Sequence, residues 1–258
     1  MIIGNKNFEG KTYVLAIINL TPDSFYSDSR KDEYTVLKAV EKAEKEGAAV
    51  IDLGPQSTRP GYIEVSAEEE IRRLEKPLLM IKERFSLPVS VDTYFSKTAE
   101  AALTLGADMI NDIWGLKRDK NMAQTCAEHN SSVCLMHNSE KPLTGDIFPQ
   151  IIGGLKESLQ LAKDAGIDEN KICLDGGIGF AKDREQNFEL LNGYDKLSVL
   201  GYPLLLGTSR KSMFGGKPEG RLQATLQSTY LAAKFGVLFV RVHDVKENIK
   251  AIERAYEN

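Results

Sequence analysis

The chain has 258 residues, 42% hydrophobic and 27% charged, which is ordinary soluble-globular usage and excludes a disordered or fibrous class. Its formal net charge of −4 and pI of about 5.6 give no global attraction to nucleic acid or an anionic membrane, so the expected partners are small molecules and any anion site must be local. No apolar run is long enough to span a bilayer, the N-terminal residues lack a cleavable apolar leader, and Cys126, Cys134 and Cys173 show neither CxxC spacing nor a disulfide framework, so a cytoplasmic protein with buried free thiols is expected.

Short β-branched runs recur along the chain, each followed by a charged segment of helical period, and this alternation predicts parallel strands joined by crossover helices. The strand candidates are Val14–Asn19, Val50–Leu53, Val89–Asp92, Met109–Ile113, Val133–His137, Ile172–Asp175, Leu204–Gly207 and Leu238–His243. Helical periodicity covers Tyr34–Lys45, Ala67–Arg84, Ser96–Leu105, Leu155–Ala165, Leu222–Phe235 and Val245–Tyr256. About eight such units in this length fit a single (β/α)8 barrel spanning residues 1–258; a doubly wound open sheet produces the same local pattern.

In a barrel, residues at the C-terminal strand ends share one mouth. Those ends carry Asn19 with Thr21-Pro22-Asp23-Ser24-Phe25, then Ser57-Thr58-Arg59-Pro60-Gly61, Asp92, Asn111-Asp112, Met136-His137-Asn138, Asp175, Ser209-Arg210-Lys211-Ser212, and Arg241 with His243-Asp244. Taken singly, Asn, Asp, Ser and Thr cap helices and make turns. Turn chemistry requires no cations, however, and Arg59, Lys211, Arg241 and His243 together suit a phosphate or pyrophosphate. Asp92, Asn111 and Asp175 offer two carboxylates and an amide to a flat heterocycle with several N–H donors. No HExxH, EF-hand or His-rich spacing marks a protein-held metal; one Mg²⁺ carried partly by ligand phosphates remains open. In Asp175-Gly176-Gly177-Ile178-Gly179-Phe180 the glycines fit close backbone approach to a planar ligand as well as a nucleotide turn. His129 and Trp114 read as a surface and a packing residue.

These blocks resemble the dihydropteroate synthase family along nearly the whole chain: Asn19 to Phe25, Ser57-Thr58-Arg59-Pro60-Gly61, Ser90-Val91-Asp92-Thr93-Tyr94, Ile110-Asn111-Asp112-Ile113-Trp114-Gly115, Met136-His137-Asn138, Gly177-Ile178-Gly179-Phe180, Leu206 to Lys211 and Arg241-Val242-His243-Asp244-Val245. The resemblance implies a (β/α)8 barrel that joins 6-hydroxymethyl-7,8-dihydropterin pyrophosphate to p-aminobenzoate, releasing pyrophosphate, with Mg²⁺ assisting and a homodimer formed through barrel helices. Carried over, Asp92, Asn111, Met136, Asp175 and Lys211 hold the pterin. Asn19, Arg59, Arg241 and His243 hold the pyrophosphate, with Asn19 at the Mg²⁺. Phe25, Thr58, Pro60, Phe180, Lys211 and Ser212 line the p-aminobenzoate, and Asp92, Lys211, Arg241 and His243 carry the catalysis.

Three departures accompany the resemblance. The family usually has Asp-Pro-Gly where this chain has Asp175-Gly176-Gly177, which is expected to free the backbone beside the pterin. The first loop reads Phe25-Tyr26-Ser27-Asp28, one residue longer than the common form, and Pro55-Gln56 replaces a common Gly-Glu, which is expected to change loop geometry more than catalysis. Two alternatives are a methyltetrahydrofolate-binding methyltransferase, which needs no Thr58-Arg59-Pro60 or Ser209-Arg210-Lys211, and an inactive pterin-binding homologue.

Overall fold

A computed structural model describes residues 1–20, 30–56 and 64–257. Eight parallel strands close into a barrel: β3 (Tyr13–Asn19), β4 (Val50–Gly54), β5 (Val89–Asp92), β6 (Met109–Asp112), β7 (Ser132–Met136), β8 (Ile172–Asp175), β9 (Leu204–Leu206) and β10 (Phe239–Val242). Closure is made by β10 against β3, with Phe239 opposite Tyr13 and Arg241 opposite Leu15. The barrel, and not the open sheet, is therefore the solution this alternation adopts. Ahead of it a short antiparallel hairpin, β1 (Ile2–Ile3) and β2 (Lys6–Asn7), had no readable periodicity because each arm is two residues long. It lays Phe8 edge-on against Tyr13 and Phe239, with centroids 5.0 and 5.3 Å apart, and closes the N-terminal end of the barrel.

The helices α1 (Arg30–Lys45), α2 (Ala67–Arg84), α3 (Ser96–Thr104), α4 (Met122–Glu128), α5 (Ile147–Asp164), α6 (Arg184–Asn192), α7 (Leu222–Lys234) and α8 (Val245–Glu257) surround the strands. Helix α2 follows its predicted limits because Ser66 caps Glu69 N at 3.3 Å, three glutamates occupy its first turn, and Lys82 and Arg84 its last. Helix α5 begins eight residues before the predicted start, where Asp146 caps Phe148 N at 3.1 Å. Its early turns contain Gly153 and Gly154, poor helix formers. Gly154 is required there, since a Cβ would lie 2.9 Å from the His137 ring.

Side-chain alternation along the strands produces two cores. One parity, including Val14, Ile51, Val89, Val91, Ile110, Val133, Leu135, Leu174, Leu206 and Val240, packs outward against the helices. The other parity points inward, and its lower layer, Leu15, Val50, Met109, Cys134, Cys173, Leu205 and Phe239, fills the barrel floor with apolar side chains. All three cysteines are buried and free, as expected. Two residues further along the same inward parity stand Asp52, Asp92, Asn111, Met136, Asp175 and Arg241. The register that packs the floor thus places the polar ring directly above it.

Candidate active site

At the centre of the mouth, Arg241 lies between two buried carboxylates. Its Nε donates to Asp52 Oδ2 at 2.7 Å, while Nη2 contacts Asp52 Oδ2 at 2.6 Å and donates to Asp92 Oδ2 at 2.7 Å. Asp52 is fully buried and Asp92 is 4% exposed. Each keeps one oxygen, Oδ1, buried and without a hydrogen-bond partner among the described residues. A buried carboxylate oxygen without a donor is costly unless a ligand supplies one. Burial pushes Asp92 up to about 7, against the pull of Arg241 and with the help of nearby Asp52 and Asp112. For Arg241 burial opposes the charge, but Asp52 and Asp92 outweigh it and hold the guanidinium protonated.

Asp175 faces this pair from β8. Its Oδ1 accepts Gly177 N at 2.7 Å and lies 3.0 Å from the Tyr194 hydroxyl. Lys211 bridges the carboxylates and the aromatic wall: its Nζ donates to Ile178 O and sits 4.7 Å from the Phe180 ring centre. Burial lowers Lys211 to about 8, with Asp175 and Asp92 pulling the other way and Arg241 adding to the lowering. Met136 is buried in an apolar group with Tyr94 and Ile113, against which Phe95, Trp114 and Phe180 pack, so a flat ligand meets carboxylates on one side and an apolar wall on the other. Asn111 is buried at the end of β6, with its carbonyl accepting Thr93 N at 3.2 Å.

The glycines of the 175–180 turn serve close approach. Gly177 (φ 74°) has no room for a Cβ because His137 O occupies that place, and a Cβ on Gly179 (φ 85°) would lie 3.0 Å from Lys211 Cδ. Lys182 ties the turn together by donating to Gly177 O at 3.0 Å and Phe180 O at 3.1 Å, with His137 Nδ1 at 3.2 Å. Gly176 is not freed by the lack of proline, as its N–H donates to Tyr194 Oη at 2.8 Å.

At the rim, His243 Nε2 lies 3.5 Å from Asn19 Nδ2, and its Nδ1 lies 2.9 Å from Ser209 Oγ. Not every residue near the strand ends joins this site. Asp112 accepts Trp114 N at 2.8 Å and Leu116 N at 2.7 Å, so it shapes the turn after β6. Arg210 pairs with Asp244 through bonds of 2.9 and 2.5 Å, and His137 is a buried neutral acceptor that burial and Lys182 push down to about 3. His129 pairs with Glu100 at 3.0 Å on the helical exterior, and Ser212 is exposed in the turn after Lys211. Phe25, Thr58, Arg59 and Pro60 lie outside the described residues, as does Asp28. Gln56, at the edge of the second loop, is buried and donates to Tyr94 Oη at 2.8 Å while its Oε1 accepts Val65 N at 3.0 Å, joining the two ends of residues 57–63.

Sequence reasoning missed Asp52, Tyr194 and Lys182. The signal for Asp52 was its inward parity in Val50-Ile51-Asp52-Leu53, readable once the barrel is assumed. Tyr194 lies in a 3-10 turn (Tyr194–Leu200) with no local sign of a role at the mouth.

A closed (β/α)8 barrel with buried carboxylates, a guanidinium and an ammonium at its mouth is an enzyme fold with a polar site, and the profile described as "Pterin binding enzyme" matches residues 15–243. A dihydropteroate synthase of Clostridium beijerinckii is 45% identical over 259 residues, covering 97% of this chain and 96% of the relative. A Clostridium difficile dihydropteroate synthase solved in the presence of pteroic acid superposes with a TM-score of 0.94 at 41% identity, covering 98% of each chain. The Xanthomonas albilineans dihydropteroate synthase solved with 4-aminobenzoic acid gives a TM-score of 0.90 at 34% identity, covering 96% of this chain and 93% of that one. The chain belongs to the dihydropteroate synthase family. That membership removes the methyltransferase alternative.

Proposed function

We propose that the barrel mouth joins 6-hydroxymethyl-7,8-dihydropterin pyrophosphate to p-aminobenzoate by departure of pyrophosphate ahead of attack by the amine. The single observation that carries this reading is the unpartnered Oδ1 of buried Asp92, set in one ring with Asn111 and Asp175. Ring N–H groups of a pterin supply the donor that oxygen lacks. The bond from the pterin methylene to the bridging oxygen breaks, its electrons leave with pyrophosphate, and positive charge spreads into the ring. Ionised Asp92 and Asp175 stabilise that charge electrostatically. The p-aminobenzoate nitrogen then forms the new C–N bond and loses a proton to solvent. An aniline needs no serine or cysteine relay for this attack.

Arg241 takes two parts in this scheme. Two of its nitrogens hold Asp52 and Asp92, while Nη1 is bonded to none of the described residues and is the donor left for pyrophosphate. His243 and Asn19 meet at the adjacent rim and form the pyrophosphate side, to which the family pattern also assigns Arg59. Lys211 and Phe180 form the junction where pterin and p-aminobenzoate meet, with Ser212, Phe25, Thr58 and Pro60 assigned to the p-aminobenzoate side by the family pattern.

Among the described residues no group of three or more His, Cys, Asp or Glu could hold a metal ion. Asn19 would hold Mg²⁺ together with the pyrophosphate itself. That ion would neutralise charge on the leaving group. A homodimer is proposed through the outer surfaces of α7 and α8, where Leu226, Tyr230 and Ala251 line a groove. No helix among the described residues is long and apolar enough to cross a membrane.

The test is release of pyrophosphate from the pterin pyrophosphate, with and without p-aminobenzoate and Mg²⁺. Release of pyrophosphate that yields dihydropteroate when p-aminobenzoate is present supports the reading. Folded protein that releases none with both present overturns it in favour of an inactive pterin-binding homologue.

A further inference from the structure

Asp175 is held by a residue the reaction scheme does not use. Tyr194 is fully buried, and its hydroxyl lies 2.8 Å from Gly176 N, 3.0 Å from Asp175 Oδ1 and 2.5 Å from Leu205 O. A hydroxyl has one proton and two lone pairs. Gly176 N–H occupies one lone pair, so the proton has two destinations, Asp175 or Leu205. When Asp175 is ionised the proton turns to Oδ1. When Asp175 is protonated, its own O–H donates to Tyr194 and the tyrosine proton turns to Leu205 O. The protonated state satisfies each of these groups, whereas in the ionised state Leu205 O gives up the hydroxyl proton to Oδ1.

We propose that Tyr194 is the positioning residue that aims Asp175 at the pterin, and that glycine at position 176 belongs to the same device. Two independent features of the structure support this, which rests on the assignment of Asp175 to the pterin. Gly177 N and the Tyr194 hydroxyl both act on Oδ1, which fixes the rotation of the carboxylate and leaves Oδ2 on the opposite side, beside Gly207. A residue larger than glycine at 176 would press a Cβ to 2.9 Å from Leu197 Cδ1 and 3.1 Å from Tyr194 Cε2, and the proline usual in the family has no N–H to give the hydroxyl. Gly176 and Tyr194 therefore form a matched pair, the glycine giving its N–H to the hydroxyl and leaving room for the ring.

Burial pushes Asp175 up, while Lys211, Gly177 N–H, the Tyr194 hydroxyl and Lys182 pull it down. Cys134 from β7 and Arg241 from β10 also face it. Removing the hydroxyl deletes one group that favours the ionised form, so pterin binding must fail at a higher pH than in the unaltered protein.

Tyr194→Phe keeps the ring and removes the hydroxyl. Binding of 6-hydroxymethyl-7,8-dihydropterin pyrophosphate is measured by calorimetry across pH, beside steady-state turnover. The expected result is pterin affinity roughly tenfold weaker, the effect of one lost hydrogen bond to a charged acceptor, with the KM for p-aminobenzoate unchanged and the acid limit of pterin binding moved upward. Gly176→Pro alone should weaken pterin binding in the same direction. In the double variant Gly176→Pro, Tyr194→Phe, the loss should be smaller than the sum of the two single losses, because the N–H and the hydroxyl act through one hydrogen bond, while the contact of a Cβ at 176 with Leu197 and the ring persists in both backgrounds. Unaltered pterin affinity and an unmoved pH limit in Tyr194→Phe overturn the inference, as does a fall in thermal stability with neither change. Should Tyr194→Phe fail to fold, normal pterin affinity in Gly176→Pro overturns it instead. Unaltered protein that binds no pterin pyrophosphate brings down the functional reading itself, a different outcome from the others.

Discussion

Asp52 is expected to set the charge state of Asp92 through the Arg241 they share, and Asp52→Asn tests this. With Asp52 and Asp92 ionised against Arg241, that cluster carries one excess negative charge, and Asp92 rises to about 7 as burial and Asp52 both push it up. Bonds of 2.6 and 2.7 Å to the same Arg241 nitrogen cap the separation of the two carboxylate oxygens at about 5 Å. At an effective dielectric of about 20, two like charges at that distance repel by roughly 3 kcal/mol, equivalent to about two pH units. Asparagine keeps the shape and an acceptor for Nε but removes the repulsion, so the acid limb of kcat/KM for the pterin substrate should move from near pH 7 toward lower pH by one to two units. Because Asp92 must be ionised to oppose the pterin cation, activity at pH 6 should rise relative to that at pH 8. Arg241 exchanges a charged partner for a neutral one, at a cost in stability of about 1–2 kcal/mol read from urea unfolding. An acid limb that stays in place in folded Asp52→Asn protein refutes this reasoning.

Asp92→Asn removes the charge that opposes the pterin cation, and kcat should fall by roughly 10²–10³ with pyrophosphate affinity, measured by calorimetry, changed much less. Lys211→Ala should impair use of both substrates and abolish the alkaline limb of the pH profile near 8, since burial lowers Lys211 to that range and its charge is lost above it; a limb that persists would assign it elsewhere. Gly179→Ala places a Cβ 3.0 Å from Lys211 Cδ at φ 85° and should cost about 1–3 kcal/mol of stability, seen by denaturant unfolding, with a raised pterin KM. Lys182→Met removes the donor shared by Gly177 O and Phe180 O and should raise the KM for both substrates with smaller change in kcat.

Much of the barrel was legible because its strands and helices carry their own periods. Val89–Asp92, Ile172–Asp175 and Ala67–Arg84 end where predicted, since apolar runs and cap residues coincide there with the strand and helix limits. Helices α4 and α6 escaped because both are short and α6 is weakly amphipathic; the capping box of Asp183 and Gln186 was the available mark for α6. The close-approach reading of Gly177 and Gly179 agrees with the geometry, while the expected freedom of Gly176 does not, because its restraint comes from a tyrosine eighteen residues away. Arg241 looks in sequence like a cation for an anion. Only the fold shows that two carboxylates already share it, one of them from a strand whose single Asp sits in an apolar run.

The site and the core of this barrel are consecutive layers of one inward face, and this ties function to packing. Cys134 and Cys173 lie paired in register at the floor, with Met136 and Asp175 paired in the layer above. The apolar floor excludes water from beneath the carboxylates, which is why burial is the largest cause raising Asp92 and Asp175. A wet floor would screen the carboxylates and weaken their action on a developing pterin cation. The ring cannot simply be made fully anionic either, because buried carboxylates stripped of their cations would add to the desolvation cost already borne. Arg241 and Lys211 therefore do structural work before any substrate arrives: they let three carboxylates stand over a dry floor, close to neutrality, with Asp92 poised near physiological pH.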